Sequence, residues 1–549
     1  MSLKVSLFQM KSILGNIKEN TSKIIEYYNN QNSDIVVTPE LALCGYSVMD
    51  NLYSIDFQAE INSAIKTIQE NTLGKKSTLV LGSPWFENDK IYNVALVIQS
   101  GEIKEIVYKS KLPNYGVFNE YRYFNTKETN NIINIAGKNI AIFVCEDMWH
   151  KDKVDSINNS VDLAISINAS PFEISNEDNK NNSRLQVSQY AAAKLSSPVL
   201  YLNTVGGVDD VIFDGSSFIV DKNGNQIGCM KHAQEDTFVF DLETVTNKDL
   251  IDYNNYNKNS LIYDVIQLGL KDFLKSSGFN GVIIGISGGI DSTITATMAV
   301  DALGAENVLG ISMPSKYTSQ LSHDIINDMR KLLGIKILEI PIDDLVTAYK
   351  KNLPKDLILE ENNVLDNIQA RIRGQILMAY SNQYKGFMVL TTGNKSEVAV
   401  GYSTIYGDTC GGYNLLKDLY KTQVFEISKW RNENIPSFSK LPQLNIIPKM
   451  AINRKPSAEL QDGQFDEDSL MDYNILDDIL YNIIEKKSSI ENLYKLHNKD
   501  LVDKVIRLLK FSHYKRLQSA TGVNISLRPF GKDYQYNICD SFKINNPKS

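Results

Sequence analysis

The stretch 281–293, GVIIGISGGIDST, constrains this chain more than any other. An apolar β-branched run (Val282, Ile283, Ile284, Ile286) stops at Ser287-Gly288-Gly289, and Asp291-Ser292-Thr293 open a helix. A buried strand, a glycine turn and a helix N-terminus bring free backbone N–H groups together, which makes an anion site. Glycines let the backbone approach the anion, and the hydroxyls of Ser287, Ser292 and Thr293 add donors. No lysine follows the glycines, so the phosphate-binding pattern GxxxxGK[ST] is absent. A bare strand–helix turn carries glycines for packing alone; SGGxDS is a narrower pattern.

Strand and helix patterns alternate around this stretch. A helical pattern covers 261–274, and strands at 282–286, 308–313, 337–342 and 387–391 are separated by helices from 291, near 322–333 and near 366–383. Such alternation predicts parallel strands with right-handed crossovers, and ligands beyond the strands' carboxyl ends. Two later stretches add chemistry. In Asn367-Ile368-Gln369-Ala370-Arg371-Ile372-Arg373 the arginines lie two apart and cannot share a helix face. One is free for a surface salt bridge, while the other could neutralise a phosphate through its fork of donors. In TTGNKSEVAVGYSTIYGD (391–408), Glu397 stands at a strand's carboxyl end. With Asp291 it could hold Mg²⁺, an ion that takes one or two carboxylates plus phosphate oxygens. A first-turn helix acid favoured by the dipole is the competing reading.

The N-terminal half is patterned differently. Short β-type runs recur at 5–8, 35–38, 78–81, 94–98, 140–144, 163–167, 199–202 and 218–220, with helical patterns at 21–28 and 57–69 and hairpin signals at Ser100-Gly101 and Asn223-Gly224. The mixture predicts a layered α/β sandwich, not a simple doubly wound sheet. Three polar groups stand at the ends of apolar strands: Glu40 after IVVTP, Lys109 closing the run 103–108, and Cys145 closing IAIFV. Singly each is unremarkable: a small core thiol, a helix cap, a solvated strand end. Together they could make an amidase, in which a thiolate attacks the amide carbon, a carboxylate relays the proton and an ammonium stabilises the oxyanion.

Length and composition bound these readings. A chain of 549 residues exceeds one ordinary core. Hydrophobic residues at 43% and charged residues at 22% are globular values, and a formal charge of −8 argues against a nucleic-acid or acidic-membrane surface. The N-terminus has no signal-peptide pattern and no apolar run is long enough to span a membrane. Five cysteines (Cys44, Cys145, Cys229, Cys410, Cys539) stand far apart with no CxxC, which fits neither a disulfide framework nor a zinc site. The expected home is a reducing cytoplasm. A polar, asparagine-rich segment between Asp241 and Ser260 predicts a boundary.

SGGIDS resembles the PP-loop of the N-type ATP pyrophosphatases, which split ATP between the α and β phosphates and adenylate a substrate. TPELALCGY (38–46), YKSKLPNYGVFNE (108–120) and FVCEDMW (143–149) resemble the Glu–Lys–Cys motifs of the nitrilase superfamily. LPNYGVF, NASPF (168–172) and GGVDDVIFDGSSF (206–218) narrow that likeness to the glutaminase domain of glutamine-dependent NAD synthetases. NIQARIRG, TTGNKSEVAVGY, YGD, LLKDLYKTQV (415–424), KPSAEL (455–460) and FDEDSL (465–470) resemble the synthetase domain of the same family, in the same order. The resemblance implies an α-β-β-α nitrilase-like sandwich at 1–245, a linker at 246–262, and a doubly wound parallel-sheet PP-loop domain (adenine nucleotide α-hydrolase-like) at 263–549.

It also implies roles. Glu40 is the base, Lys109 the cation and Cys145 the nucleophile. Tyr115, Glu120, Ser170 and Asn176 belong to the glutamine site. Ser287, Gly288, Gly289, Asp291, Ser292, Thr293 and Thr392 belong to ATP, with Asp291 and Glu397 on Mg²⁺. Asn367, Arg371, Glu397, Asp408, Lys421 and Lys515 belong to deamido-NAD. The implied reaction is ATP-dependent amidation of deamido-NAD to NAD with ammonia from glutamine, in a homo-oligomer with an internal ammonia path. The chain departs from the family at Phe118-Asn119-Glu120, at Gly206-Gly207-Val208-Asp209-Asp210, at Asn176 where a basic residue is frequent, and at Tyr534-Gln535 in the tail. Two rivals are another PP-loop amidotransferase and a binding module with a dead amidase. The first uses an N-terminal cysteine or a Cys–His–Glu triad, and none of the five histidines lies in a GxCxG-linked set. Intact Glu40–Lys109–Cys145 and SGGIDS argue against the second.

Overall fold

The computed structural model describes residues 2–174, 183–244, 256–357, 363–461, 463, 465–531 and 533–538. Asn176 and the linker residues 246–255 lie outside the described residues. The chain divides into two compact units after Leu261, within the helix Lys258–Ser276. Among the described residues, no helix is long and apolar enough to cross a membrane.

The first unit holds two six-stranded sheets. One runs in the order Asp236–Asp241, Lys4–Gln9, Ile35–Val37, Thr78–Glu87, Lys90–Gln99, Glu102–Tyr108; the other runs Gln226–Cys229, Phe218–Val220, Val199–Asn203, Leu163–Asn168, Lys138–Val144, Ile132–Ile135. In each, three central strands are parallel and their outer neighbours antiparallel. The period-2 alternation of the strands dictates the layering. Val80, Ala95, Val97, Ile140, Ile142, Val144, Leu163 and Ile165 share one core between the sheets. Their neighbours Leu79, Leu81, Leu96 and Ile98 face the other way, onto the helices Ile17–Asn29 and Ile55–Asn71. Ala141, Phe143, Val199 and Tyr201 pack beside Ala191, Ala192 and Leu195 of the helix Ser183–Leu195. The result is the α-β-β-α sandwich that the resemblance implies.

The second unit has one parallel sheet in the order Lys336–Glu339, Val308–Ser312, Gly281–Gly285, Phe387–Thr391, Tyr413–Asn414, Thr521–Gly522. The chain fills the sheet outward from Gly281–Gly285 on one side, then returns to fill the other. The reversal leaves a crevice at the carboxyl end of that strand, which is where Ser287 to Ser292 lie. The strand expected at 337–342 ends at Glu339. Ile340 and Ile342 still donate to the Ser312 and Pro314 carbonyls at 2.8 and 3.0 Å, so the backbone runs on beside its neighbour after the strand's last paired residue. The helices Tyr473–Ile484, Ile490–Leu496 and Lys499–Phe511 enclose a separate cluster around Leu476, Leu480, Val502 and Val505, packed on Ala399 and Val400.

Candidate active sites

In the first unit Glu40, Lys109 and Cys145 converge in a buried site. Glu40 follows Ile35–Val37 on a tight turn, with Leu41 at φ +50°. Gly82 of the neighbouring strand makes that turn possible: a Cβ there would lie 2.0 Å from the Pro39 carbonyl oxygen and 2.9 Å from the Glu40 Cα. Lys109 directly follows the strand Glu102–Tyr108, and its Nζ donates to Glu40 Oε1 at 2.6 Å and to Glu120 Oε1 at 2.7 Å. Glu40 Oε1 also accepts from Asn93 Nδ2 at 2.7 Å, and Oε2 from the Ala169 N–H at 2.8 Å. Three fixed donors thus lock the carboxylate in place.

Cys145 sits between the strand Lys138–Val144 and the helix Glu146–Trp149 at φ +47°, ψ −101°. A side chain there is strained by about 1–3 kcal/mol and is held by its surroundings. The Cys145 N–H extends the ladder to Ile167 O at 2.9 Å, while Asp147 Oδ1 accepts from the Ser110 N–H (2.9 Å), Ser110 Oγ (2.8 Å) and the Lys111 N–H (2.9 Å). One carboxylate therefore ties the residues beside the nucleophile to those beside the lysine. Ser170 Oγ lies 3.9 Å from Cys145 Sγ and 2.7 Å from Tyr201 Oη. Tyr115 Oη donates to Glu146 Oε2 at 3.0 Å.

Burial sets the electrostatics. It would push Lys109 down, but Glu120 and Glu40 outweigh it and hold the ammonium well above its ordinary range. Burial first, then the charge of Glu40, push the Cys145 thiol well up, with Lys109 pulling the other way. Burial lifts Glu120 to about 7 against the pull of Lys109. The resting site is a protonated thiol beside a fixed carboxylate and a permanent cation. That set can transfer a proton from sulfur to a leaving nitrogen through Glu40 while Lys109 faces the developing charge.

The second unit carries a cleft of about 780 Å³ at the switch point. Ser287, Gly289, Asp291, Ser292, Thr392, Asn367, Glu397, Asp408, Lys421 and Lys515 line it. Gly288 turns the loop at φ +78°, where a Cβ would stand 2.9 Å from the Ser322 carbonyl oxygen. Thr293 is turned inward, its hydroxyl donating to Gly289 O at 2.8 Å. Lys421 Nζ bridges Asp291 Oδ2 (2.5 Å) and Glu397 Oε1 (3.1 Å). Glu397 fits the first-turn reading: its Oε2 completes a capping box with Asn394, and Asn394 Nδ2 in turn holds Asp291 Oδ1 at 2.9 Å. Thr404 gives its N–H to Asp408 Oδ1 (2.6 Å) and its hydroxyl to Asn367 Oδ1 (2.7 Å). Lys515 Nζ caps the carbonyls of Gly401 and Ser403.

The donor set fits a hard divalent cation. Burial first, then Asp291 and Asp466 against Lys421, raise Glu397 to about 8. Asp291 and Glu397 share the Lys421 ammonium and Asp466 stands near it, a surplus of negative charge that a cation would relieve. Among the described residues no group of three or more metal-ligating side chains is assembled, so the protein supplies part of a shell that phosphate oxygens would complete.

Arg371, expected at this site, does not line the cleft itself, though its charge reaches the lining residue Lys515. It is exposed, its Nε donating to Ile405 O at 3.3 Å, and Arg373 lines the cleft in its place. Residues 363, 366, 367, 370, 373, 374 and 377 of the helix Val364–Gln383 and its cap form the lining stripe. At 100° per residue Arg371 falls outside that arc. Sequence reasoning also missed Asn93, Tyr46 (donating to Glu120 Oε1 at 2.8 Å), Asp147 and the Ala169 N–H. Asn93 had a signal, a polar residue on the face that Ala95 and Val97 bury; a backbone N–H has none.

Residues 4–247 match the carbon–nitrogen hydrolase family model, and residues 262–519 match that of NAD synthase. A nitrilase-type amide hydrolase is thus joined to an NAD synthase unit. The chain is 37% identical to the glutamine-dependent NAD(+) synthetase of Acinetobacter baylyi over 99% of both chains, and 36% identical to that of Xanthomonas campestris over 98% of both. Among solved structures it is similar to the glutamine-dependent NAD+ synthetase of Acinetobacter baumannii in complex with ADP (35% identity, all of both chains, TM-score 0.76). It shares its fold with the enzyme of Cytophaga hutchinsonii (20% identity, 98% of both chains, TM-score 0.81). This chain belongs to the family of glutamine-dependent NAD(+) synthetases.

Proposed function

We propose that this chain amidates deamido-NAD to NAD, with ATP activating the carboxylate and glutamine supplying the nitrogen. The observation that carries the reading is the full-length likeness to such synthetases in a chain that retains both a buried Glu40–Lys109–Cys145 set and an SGGIDS cleft.

At the first site Cys145 Sγ bonds to the glutamine amide carbon. Glu40 takes the thiol proton and passes it to the nitrogen, which leaves as ammonia. The thioester is then opened by water, Glu40 again moving the proton, and glutamate departs. Lys109 stabilises the oxyanion, Glu120 holds Lys109, and Tyr115 and Ser170 contact the substrate. At the second site a nicotinate carboxylate oxygen bonds to the α-phosphorus of ATP as the bond to the bridging oxygen breaks and pyrophosphate leaves. Ammonia adds to the activated carbon, AMP leaves with the carbon–oxygen electron pair, and a proton is lost. Ser287, Gly289 and Ser292 receive phosphate oxygens, with Thr392 beside the nucleotide. Asn367, Asp408, Lys421 and Lys515 hold the dinucleotide. Asp291 and Glu397 would hold Mg²⁺, whose charge stabilises phosphate oxygens when bound.

The enzyme works in the cytoplasm as a homo-oligomer. Light scattering reporting a stable 61.8 kDa monomer would refute the assembly. The test of the activity offers deamido-NAD, Mg–ATP and glutamine, with xanthosine monophosphate and aspartate as competing acceptors. NAD, AMP, pyrophosphate and glutamate in equal amounts are expected. Turnover of a competing acceptor alone would overturn the reading.

A further inference from the structure

Arg373 is the cleft guanidinium that the described side chains leave without a carboxylate. Lys421 is neutralised by Asp291 and Glu397, and Arg454 by Glu459 at 2.5 Å. Arg373 donates through Nε to the Met313 carbonyl at 3.1 Å, and its Nη atoms have no hydrogen-bond acceptor among the described residues. Its helix turns it to the cleft: Ala370, Gly374 and Leu377 on the same face line the same space. The anchor is equally defined. Met313 follows the strand Val308–Ser312, and the Ile286 N–H is bonded to Ile311 O at 2.9 Å in the adjacent ladder. Arg373 is therefore held from the strand next to the one that feeds Ser287-Gly288-Gly289.

Arg373 is half-buried, and a guanidinium removed from much of its water is costly to leave without an acceptor. Burial pushes Arg373 down to about 10, against the partial support of Glu459 and Asp343. Arginine's fixed fork matches a phosphoryl group bidentately, and Nε anchoring leaves the Nη edge to do it. We propose that Arg373 binds a phosphoryl oxygen of a nucleotide in this cleft, as a ligand additional to the glycine loop. The proposal deepens the reading above and rests on it. ATP and the dinucleotide both carry phosphoryl groups, and the contact is separable by which of them loses affinity.

The test measures equilibrium binding of ATP, deamido-NAD and adenosine to the intact wild-type chain and to Arg373→Gln and Arg373→Lys. Losing a charge-assisted pair weakens binding about tenfold or more. The expected result is that loss for ATP in Arg373→Gln, partial recovery in Arg373→Lys, and unchanged adenosine binding. The same loss on deamido-NAD instead would keep the phosphoryl contact and assign it to the dinucleotide. Wild-type affinity for both in Arg373→Gln, or adenosine weakened as much as ATP, overturns the proposal. Circular dichroism separates loss of fold from loss of contact, and Arg373→Lys, which keeps the charge, decides if the glutamine variant is unfolded. Wild-type protein that binds neither nucleotide would sink the parent reading; wild-type binding with unaffected variants sinks only the role of Arg373.

Discussion

The two sites solve opposite electrostatic problems. Around Cys145 the charges are closed on one another: Lys109 bridges Glu40 and Glu120, all three are buried, and Asn93, Tyr46 and the Ala169 N–H add a donor each, leaving Glu120 Oε2 as the one carboxylate oxygen of the pair without a partner among the described residues. Around Asp291 the charges are open. Lys421 leaves a surplus of carboxylate on one side of a large cleft, and Arg373 leaves an unpaired guanidinium on another. Nucleophilic catalysis needs a rigid, dry set complete before substrate arrives. Phosphoryl chemistry needs charges that the ligand completes. A self-satisfied charge cluster therefore marks the first kind of site, and an unsatisfied one the second.

This contrast fixes what substitution should do, and the largest effect belongs to the open site. Asp291→Asn should abolish NAD formation with glutamine or ammonium, by roughly a thousandfold or more if the phosphate charge loses its main counter-arrangement. The fold should survive, because the substitution is isosteric, its amide oxygen can still accept from Lys421 Nζ, and the helix is capped at Gly289 and not by this side chain. Deamido-NAD-dependent exchange of labelled pyrophosphate into ATP reports the adenylation step alone, and near-normal exchange would remove Asp291 from it.

At the closed site the same kind of substitution should act on stability as well as on rate. Lys109→Ala leaves Glu40 and Glu120 facing each other without a cation, a loss of about 3–5 kcal/mol for breaking a buried pair. Denaturant unfolding monitored in the first unit should show it, together with a loss of glutaminase activity of at least about a hundredfold. A variant as stable as the wild type would mean that the three charges are solvated in solution, and the contrast would fail.

The smallest effect is a pH dependence. Glu120 holds its proton up to about 7 when folded, against about 4.3 in an unfolded chain. Its folded value is raised, so its contribution to stability is full below the unfolded value and declines as pH climbs to the folded one. The thermal midpoint of the first unit should fall by a few degrees between those limits. Glu120→Gln should flatten the profile; an unchanged slope would assign it to other groups.

The sequence carried the strand ends well because chemistry and pattern coincide there. Glu40, Lys109, Cys145 and Ser287 each come after an apolar run whose period is visible. The pattern of short strands and helices showed a layered α/β sandwich, the resemblance implied its four layers, and the structure sends Val80 and Leu79 to different cores. Helix phase was harder. Arg371 and Arg373 look equivalent in a string, and only the position of the helix on its sheet decides which one meets the cleft. Partners supplied from afar were not legible at all: Asp147 reaching Ser110 and Lys111, or the Ala169 N–H reaching Glu40, depend on the sheets' registers.

The most direct measurement of the account uses Cys145→Ala in the full chain, comparing NAD formation from glutamine with that from concentrated ammonium chloride at mildly alkaline pH. The substitution removes one buried sulfur, so the fold should persist. Glutamine-driven synthesis and glutaminase activity should vanish together, while ammonium-driven synthesis stays close to that of the wild type. Retained use of glutamine, or a parallel fall in both activities, would contradict the division of this chain into a closed amidase site and an open nucleotide site.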